Sequence, residues 1–262
     1  MRVSSAEYWN DRLDALDWKR RTRRSSRAAW SRACRTFLSP ATVAGLDALG
    51  ELHHRSVLEL GSGHGQGAVH LVARGAGVTA LDISSKRCAE GQRQLAGAPA
   101  ANSIRFCAAR AERLPFASAS FDSVFARDVL MYADPKQIVQ ESLRVTAPGG
   151  VVVFVESLAG PGPLGWFRQL TSPREYREFT RHLSLAELSR LAAPLKPEVV
   201  SAHYLISLIA FAALFLLRSP KLHSWLLSVL YPLDSWLLRR MPLLRRWAWR
   251  GVVAFRKPRD SS

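Results

Sequence analysis

An apolar run that continues into four alternating glycines sets the strongest limit on the fold of this chain. The segment reads SVLEL over residues 56–60 and then places glycines at positions 61, 63, 65 and 67. Glycine tolerates the backbone conformations of a tight turn and lets the backbone approach a ligand closely. The segment therefore predicts a buried strand, a ligand-binding loop and a helix, in that order.

Short apolar segments alternate with helical segments through the middle of the chain, as in a doubly wound α/β fold. We expect a mostly parallel sheet of seven strands, with helices before it and a helical insertion between strands six and seven. Helix starts are indicated by Asp134 before Pro135 and by the capping box of Ser184 and Glu187. The predicted strands are residues 56–60, 77–82, 103–108, 121–126, 151–157, a segment near 198–204, and 251–257.

The pattern divides the chain into three parts. Residues 1–40 are predicted to form basic helices that cover the cofactor cleft. The α/β domain takes in residues 41–204 and 249–258, with a cap at 157–183 that is rich in glycine, proline and aromatic residues. Residues 205–248 are the apolar insertion, which is rich in tryptophan and arginine.

The glycine spacing separates this loop from a dinucleotide-binding loop. A GxGxxG fingerprint needs a glycine where this chain has Gln66, so the pattern is GxGxG instead. Glu59 precedes the glycines. Asp82 ends the second predicted strand, where a carboxylate can accept hydrogen bonds from both hydroxyls of a ribose.

Two further stretches follow in order, ARAERLPFASASFDSVFARDVLMYADP and LRVTAPGGVVVFVES. With the glycine loop and Asp82 they cover about residues 55–157 and resemble the motifs of class I S-adenosylmethionine-dependent methyltransferases. The resemblance is closest to the broad group of quinone-biosynthesis and small-molecule enzymes. It implies a Rossmann-like fold, S-adenosylmethionine as cofactor and S-adenosylhomocysteine as product.

The resemblance also implies a role for individual positions. Asp82 would hold the ribose, Ile83 would lie against the adenine, and Arg127 would lie at the end of strand four beneath the sulfonium. Ala111 and Glu112 match residues beside the adenine edge. The positions expected along the methionine half of the cofactor are Glu59, Gly61, Ser62, Gly63 and Gly65.

The chain departs from the family pattern at two places. Arg110 stands where the family usually has an aspartate that accepts a hydrogen bond from the adenine amino group. Because a cation cannot accept that bond, Glu112 or a backbone carbonyl must do so, or the adenine binds differently. Met131 and Tyr132 replace a frequent His-His or His-Leu pair, which removes one possible base.

Methyl transfer requires that the acceptor nucleophile be held in line with the methyl carbon. A hydroxyl acceptor would also benefit from a general base. His182 after the cap is our first candidate, followed by Glu156 at the end of strand five and Tyr132. A lone histidine is more often structural, and we expect His64 in the glycine loop to be a packing or cofactor-edge residue.

Positive charge is concentrated at the two ends of the chain. Of the formal net charge of +16, residues 1–36 carry +6 and residues 201–262 carry +8. Such ends suit an anionic surface, either phospholipid headgroups or nucleic acid. The bias towards arginine over lysine can also reflect genome base composition.

The insertion contains residue types that settle at a membrane surface. Residues 204–217 carry no charge, but 14 residues are too few to span a bilayer, which takes about 20. The short apolar clusters after this run are broken by prolines and arginine pairs, and we expect them to contact a membrane peripherally, on its cytoplasmic face. The boundary-type residues are Trp225, Trp236, Trp247, Trp249, Arg239, Arg240, Arg245 and Arg246.

These features favour a methyltransferase that acts on a hydrophobic, lipid or lipid-linked acceptor at the membrane. The alternatives are a soluble natural-product O- or C-methyltransferase, with the insertion as lid or dimer interface, and a non-catalytic interaction protein. A nucleic-acid methyltransferase ranks lower, because no RNA-binding module is evident. Three cysteines without a CxxC pair and seven histidines without ligand spacing predict a reducing, cytoplasmic location and no metal site.

Overall fold

A computed structural model describes residues 38–160, 174–210 and 219–259, and the elements below are numbered within those ranges. The helices are α1 Pro40–Ala48, α2 Gln66–Val72, α3 Ser85–Leu95, α4 Pro135–Val145, α5 Arg174–Phe179, α6 Leu185–Arg190 and α7 Pro220–Arg240. The strands are β1 Ser56–Leu60, β2 Gly77–Asp82, β3 Ile104–Ala108, β4 Phe121–Arg127, β5 Thr146–Ser157, β6 Val199–His203 and β7 Arg250–Arg256. Short 3₁₀ turns cover Pro99–Ser103, Leu130–Tyr132 and Pro242–Trp247.

The seven strands form one sheet in the order β3-β2-β1-β4-β5-β7-β6. Strands β1 to β5 run parallel, and β7 is antiparallel to both of its neighbours. The predicted Rossmann-like sheet is therefore confirmed, with the α7 segment between β6 and β7. The strand order reverses between β1 and β4, which is where open α/β sheets bind ligands at the carboxyl ends of their strands.

The predicted helix starts are also found. Asp134 caps α4 by accepting a hydrogen bond from the backbone N–H of Lys136 at 2.9 Å. Ser184 and Glu187 form the expected capping box of α6. One strand boundary differs by more than a residue: β5 begins at Thr146, before the predicted residue 151, because Thr146 pairs with Phe121 ahead of an irregularity in the β4–β5 register.

The central strands are buried on both faces, as parallel strands between two helical layers must be. Leu58, Val124 and Phe154 belong to one core, and Val57 and Phe125 belong to the other. All five side chains are fully buried. This double core fixes the strand ends that form the cleft.

In residues 219–248 of the insertion the structure describes one long helix, where the sequence suggested short clusters broken at proline. Helix α7 has 21 residues and runs through Pro232. Proline removes a helical hydrogen bond, and the helix accommodates it on its exposed side. Its opposite side is anchored by Asp234 and Leu238, which are buried. Among the described residues, no helix has the length and apolar character needed to cross a membrane.

Candidate active site

The loop between β1 and α2 has a backbone that only glycine adopts easily. Gly61, Gly63 and Gly65 have φ of +66°, +57° and +83°. A Cβ on Gly61 would lie 2.5 Å from Val129 Cγ2, and one on Gly65 would lie 2.8 Å from the ring of Phe106. Both conformation and packing therefore require glycine at these two positions.

Asp82 at the end of β2 supports this loop. Its Oδ2 accepts a hydrogen bond from the Gly63 N–H at 2.8 Å, and its Oδ1 accepts one from the Ser84 N–H at 2.9 Å. The side chain is buried and still lines the cleft beside the loop. One carboxylate thus joins the ends of β1 and β2 and faces the space where a ligand would lie.

A cleft opens at the carboxyl ends of β1, β2 and β4. It brings together six of the ten predicted cofactor residues and one predicted catalytic residue. These are Gly61, Asp82, Ile83, Ala111, Glu112, Arg127 and Tyr132. Glu59, Ser62, Gly63 and Gly65 belong to the same strand and loop next to the cleft.

Residues 58–154 match the family model described as a methyltransferase domain. These residues include the glycine loop, Asp82 and the last residue of β4. The chain carries a class I methyltransferase domain. S-adenosylmethionine is the cofactor of this domain.

The methyltransferase domain is also similar to curated proteins. A demethylmenaquinone methyltransferase from Beutenbergia cavernae is 38% identical over 119 residues, which cover 45% of this chain and 47% of that protein. A malonyl-[acyl-carrier protein] O-methyltransferase from Enterobacter lignolyticus is 30% identical over 171 residues, covering 64% of this chain and 66% of that protein. The chain thus matches about half to two thirds of the length of these relatives.

The fold is shared with solved methyltransferases at low sequence identity. Geranyl diphosphate C-methyltransferase from Streptomyces coelicolor A3(2), solved with Mg²⁺, geranyl diphosphate and S-adenosyl-L-homocysteine, has a TM-score of 0.61 and 16% identity. The likeness covers 82% of this chain and 78% of that chain. It extends the shared fold beyond residues 58–154.

Buried polar atoms beside the loop fit the methionine half of the cofactor. Within the described part of the chain, Glu59 Oε2 and Ser62 Oγ have no hydrogen-bond partner. Burial raises the pKa of Glu59 to about 8, although Ala68 N–H and Arg127 oppose the rise. A Cβ on Gly63 would meet only Gln66 Oε1, at 3.8 Å, so the loop is open there. A ligand with polar and cationic groups would satisfy these atoms.

The unusual Arg110 has a partner in the methyltransferase domain. Its Nη2 lies 2.6 Å from Glu112 Oε1, and its side chain is 60% exposed. Glu112 therefore forms this ion pair and also lines the cleft. A second lone pair on the same carboxylate leaves Glu112 able to accept a further bond.

Two of the three candidate bases, Tyr132 and His182, lie at or near the cleft, and neither is fully buried. Tyr132 lines the cleft, with its ring 6.1 Å from that of Phe179. His182 is half-buried, and its Nδ1 lies 3.2 Å from the Ser157 carbonyl oxygen at the end of β5.

His64 in the glycine loop is predicted from the sequence to be a packing or cofactor-edge residue. Its pKa is lowered to about 4 by burial and by Arg87, so it is neutral near pH 7.

Glu156 is buried and hydrogen-bonded to the backbone. Its Oε1 accepts from the N–H groups of Val129 and Leu130 at 2.9 and 3.0 Å. Burial and the neighbouring Asp128 raise its pKa to about 8. These contacts favour a role in holding the turn after β4 over a role as a base.

Sequence reasoning missed two charged residues that line the cleft, Arg87 and Asp128, and it also missed the arginine that pairs with Asp128. Asp128 lines the cleft directly after β4, and Arg250 binds it from the first residue of β7. Asp128 stands beside the predicted Arg127, but no local pattern joins it to a residue 122 positions later. Residues 1–37 of the predicted N-terminal helical segment, and residues 161–173 of the cap, lie outside the described residues.

Proposed function

We propose that this protein transfers a methyl group from S-adenosylmethionine to a hydrophobic, lipid or lipid-linked acceptor at a membrane surface. The cofactor, when bound, supplies a methyl group on a positively charged sulfur. The protein's task is to hold the acceptor in line with that carbon, because orientation alone can remove a large part of the barrier. The observation that carries the acceptor part of this proposal is the exposed face of α7.

The cofactor would be held by the residues already gathered at the cleft. The glycine loop and Glu59 would bind the methionine half, and Asp82 would bind the ribose. Tyr132 is the one of the three candidate bases that lines the cleft, so we assign it to the acceptor. His182 stays a candidate base for a hydroxyl acceptor, from the neighbouring end of β5.

An apolar stripe runs along the exposed face of α7. It consists of Trp225, Val229, Leu233 and Trp236, which are 60%, 54%, 44% and 52% exposed. Their spacing of four, four and three residues places them on one side of a helix. Burying one such side chain is worth about 1.5–3 kcal/mol. A helix lying in the membrane plane would gain this energy at the headgroup boundary.

Charge on the same face suits an anionic lipid surface. Lys221 lies at one end of the stripe, and Arg239 and Arg240 lie at the other, all of them exposed. Each cation near an anionic bilayer contributes about 1 kcal/mol. In the described ranges 201–210 and 219–259 the sole carboxylate side chain is Asp234, which is buried. The exposed face therefore presents no negative charge to repel the lipid.

Several of the tryptophans and arginines that the sequence suggested for membrane contact are engaged within the protein instead. Trp249 packs against the core, and Arg245 Nε donates to the Leu238 carbonyl at 2.9 Å. Arg246 lies over the Trp247 ring, 3.8 Å from its centroid. We therefore assign the contact with lipid to the α7 stripe and its flanking cations.

Vesicle flotation tests the membrane part of the proposal. The protein should float with phosphatidylcholine–phosphatidylserine vesicles and float less with phosphatidylcholine alone. Trp225→Ser/Trp236→Ser and Arg239→Gln/Arg240→Gln should each reduce flotation. The matched control, Arg105→Gln/Arg113→Gln, removes two exposed cations outside α7 and should float like the wild type. Flotation that is absent, or lost equally in the control, contradicts membrane binding.

The acceptor is tested separately with a lipid extract and methyl-labelled S-adenosylmethionine. We expect label in the organic phase, and less of it with Tyr132→Phe. Label incorporated only into soluble small molecules, by a protein that does not float, would support the soluble natural-product alternative. A protein that does not bind the cofactor would instead be an interaction protein.

A further inference from the structure

Asp128, the residue after β4, has an unusual backbone conformation. Its φ is +54°, in the left-handed region that few residues other than glycine adopt. Such a conformation persists when surrounding contacts hold it, and it is commonest near functional sites. The contacts of Asp128 therefore show what holds this wall of the cleft.

Three strand ends meet at the Asp128 carboxylate. Arg250 Nη1 and Nη2 donate to Oδ1 and Oδ2 at 3.1 and 2.9 Å, and Ser157 Oγ donates to Oδ1 at 2.9 Å. Ser157 ends β5, Arg250 begins β7, and the two are paired across the sheet. The Asp128 N–H also donates to the Val155 carbonyl at 2.9 Å. Strands β5 and β7 thus hold the end of β4.

The turn that begins at Asp128 touches the glycine loop. Val129 Cγ2 lies 2.5 Å from the position that a Cβ on Gly61 would take. Asp128, Val129 and Gly61 all line the same cleft. A displacement of Asp128 would therefore be passed to the loop through direct contact.

The ion pair is shielded from water. The Arg250 side chain is 14% exposed and that of Asp128 is 25% exposed. Burial alone would raise the pKa of Asp128, but Arg250 and Arg127 outweigh it and hold that pKa below its usual value. Without Arg250, Asp128 loses both short hydrogen bonds from the guanidinium and keeps the longer ion-pair contact to Arg127 Nε, at 3.6 Å from Oδ2. Loss of one partner from such a shielded pair is costly.

We propose that Arg250 is a positioning residue for the cofactor: by holding Asp128 it fixes the turn 128–130 against the glycine loop. Strand β7, which lies outside the segment 58–154 that matches the family model, thereby completes the cofactor site. This inference rests on the proposed function, since it assumes that the cleft binds S-adenosylmethionine and its product.

Calorimetric titration with S-adenosylhomocysteine tests the proposal without any acceptor. Arg250→Met should weaken binding by about tenfold or more. The matched control is Arg256→Met in the same strand, whose side chain is half-exposed and pairs with Glu198 at 2.8 Å. That variant should bind within about twofold of wild type. Circular dichroism shows that each variant is folded at the titration temperature.

A double-mutant cycle separates positioning from loss of structure. Asp128→Asn/Arg250→Met removes both charges and should bind more tightly than Arg250→Met alone. The two variants should converge as pH falls, because Asp128 without Arg250 takes up a proton. The titratable groups that face Asp128 and Arg250 are Arg127, Glu156, His203 and Tyr204. All of these are common to both variants, so they cancel in the comparison.

Each outcome decides the question. Arg250→Met that binds within about twofold of wild type, or Arg256→Met that is weakened equally, overturns the inference. If Arg250→Met does not fold, Asp128→Asn alone is titrated, and wild-type affinity in that variant overturns it as well. Wild-type protein that fails to bind S-adenosylhomocysteine contradicts the proposed function itself.

Discussion

The two walls of the cleft are held by different kinds of bonds. On the glycine-loop wall, Asp82 accepts from Ser84, two residues away, and from Gly63, 19 residues away. On the opposite wall, Asp128 is held by Arg250 across 122 residues. The insertion resembles the second wall, since Asp234 holds residues 205–207 from 27 to 29 positions away. The first wall is encoded locally, and the second depends on the whole chain being folded.

The largest effect is expected in the insertion. Asp234 is fully buried and accepts from the N–H groups of Leu205, Ile206 and Ser207, at 2.8, 2.7 and 3.0 Å. Asp234→Ala leaves these donors without an acceptor and should lower the unfolding free energy by about 3–5 kcal/mol. Chemical denaturation measures this loss of unfolding free energy, and Ser228→Ala on the exposed side of α7 is the control. A loss below about 1 kcal/mol would show that long-range bonds do not hold the insertion.

The next largest effect should come from the contact between the two walls. Gly61→Ala forces a Cβ towards Val129 at a φ of +66°. We expect a loss of about 2–4 kcal/mol and at least tenfold weaker binding of S-adenosylhomocysteine. Gly50→Ala, with a φ of +74° and no atom within 4 Å of the added Cβ, is the control and should lose only about 1 kcal/mol. Equal losses in the two variants would rule out a special contact at Gly61.

A smaller effect should separate the two roles considered for Glu156. Glu156→Gln keeps an oxygen for the N–H groups of Val129 and Leu130, whereas Glu156→Ala removes it. The alanine variant should lose about 2–3 kcal/mol and the glutamine variant less than about 1 kcal/mol. Both are measured by denaturation. A glutamine variant that is stable but inactive with the lipid extract would restore Glu156 as a candidate base.

A further effect is a pH dependence on the glycine-loop wall. Glu59 has its pKa raised by burial from 4.5 to about 8, so between these values the folded protein holds a proton that the unfolded chain releases. Stability should therefore fall as pH rises through this window, by at most about 1.4 kcal/mol per pH unit. Glu59→Gln should show a flatter profile in denaturation series from pH 5 to pH 8. Identical profiles would mean that Glu59 is not buried as a neutral acid.

The difference between local and long-range contacts also explains how much of the fold and of the site the sequence predicts. The glycine loop, Asp82 and the strand positions are readable because glycine spacing and apolar runs report local backbone geometry. The buried setting of Glu156 and the Asp128–Arg250 pair are not readable, because they depend on which strand ends become neighbours. The path of α7 through Pro232 was also missed, since proline predicts a break unless tertiary contacts anchor the helix.

Calorimetric titration of the wild-type chain and of Asp82→Ala with S-adenosylmethionine tests the central claim most directly. Asp47→Ala serves as the control, because its carboxylate is 63% exposed and pairs with Arg74 away from the cleft. We predict one binding site in the wild type and in the control, and affinity at least tenfold lower in Asp82→Ala. Absence of binding in the wild type, or equal affinity in Asp82→Ala, would contradict the assignment of this cleft to the cofactor.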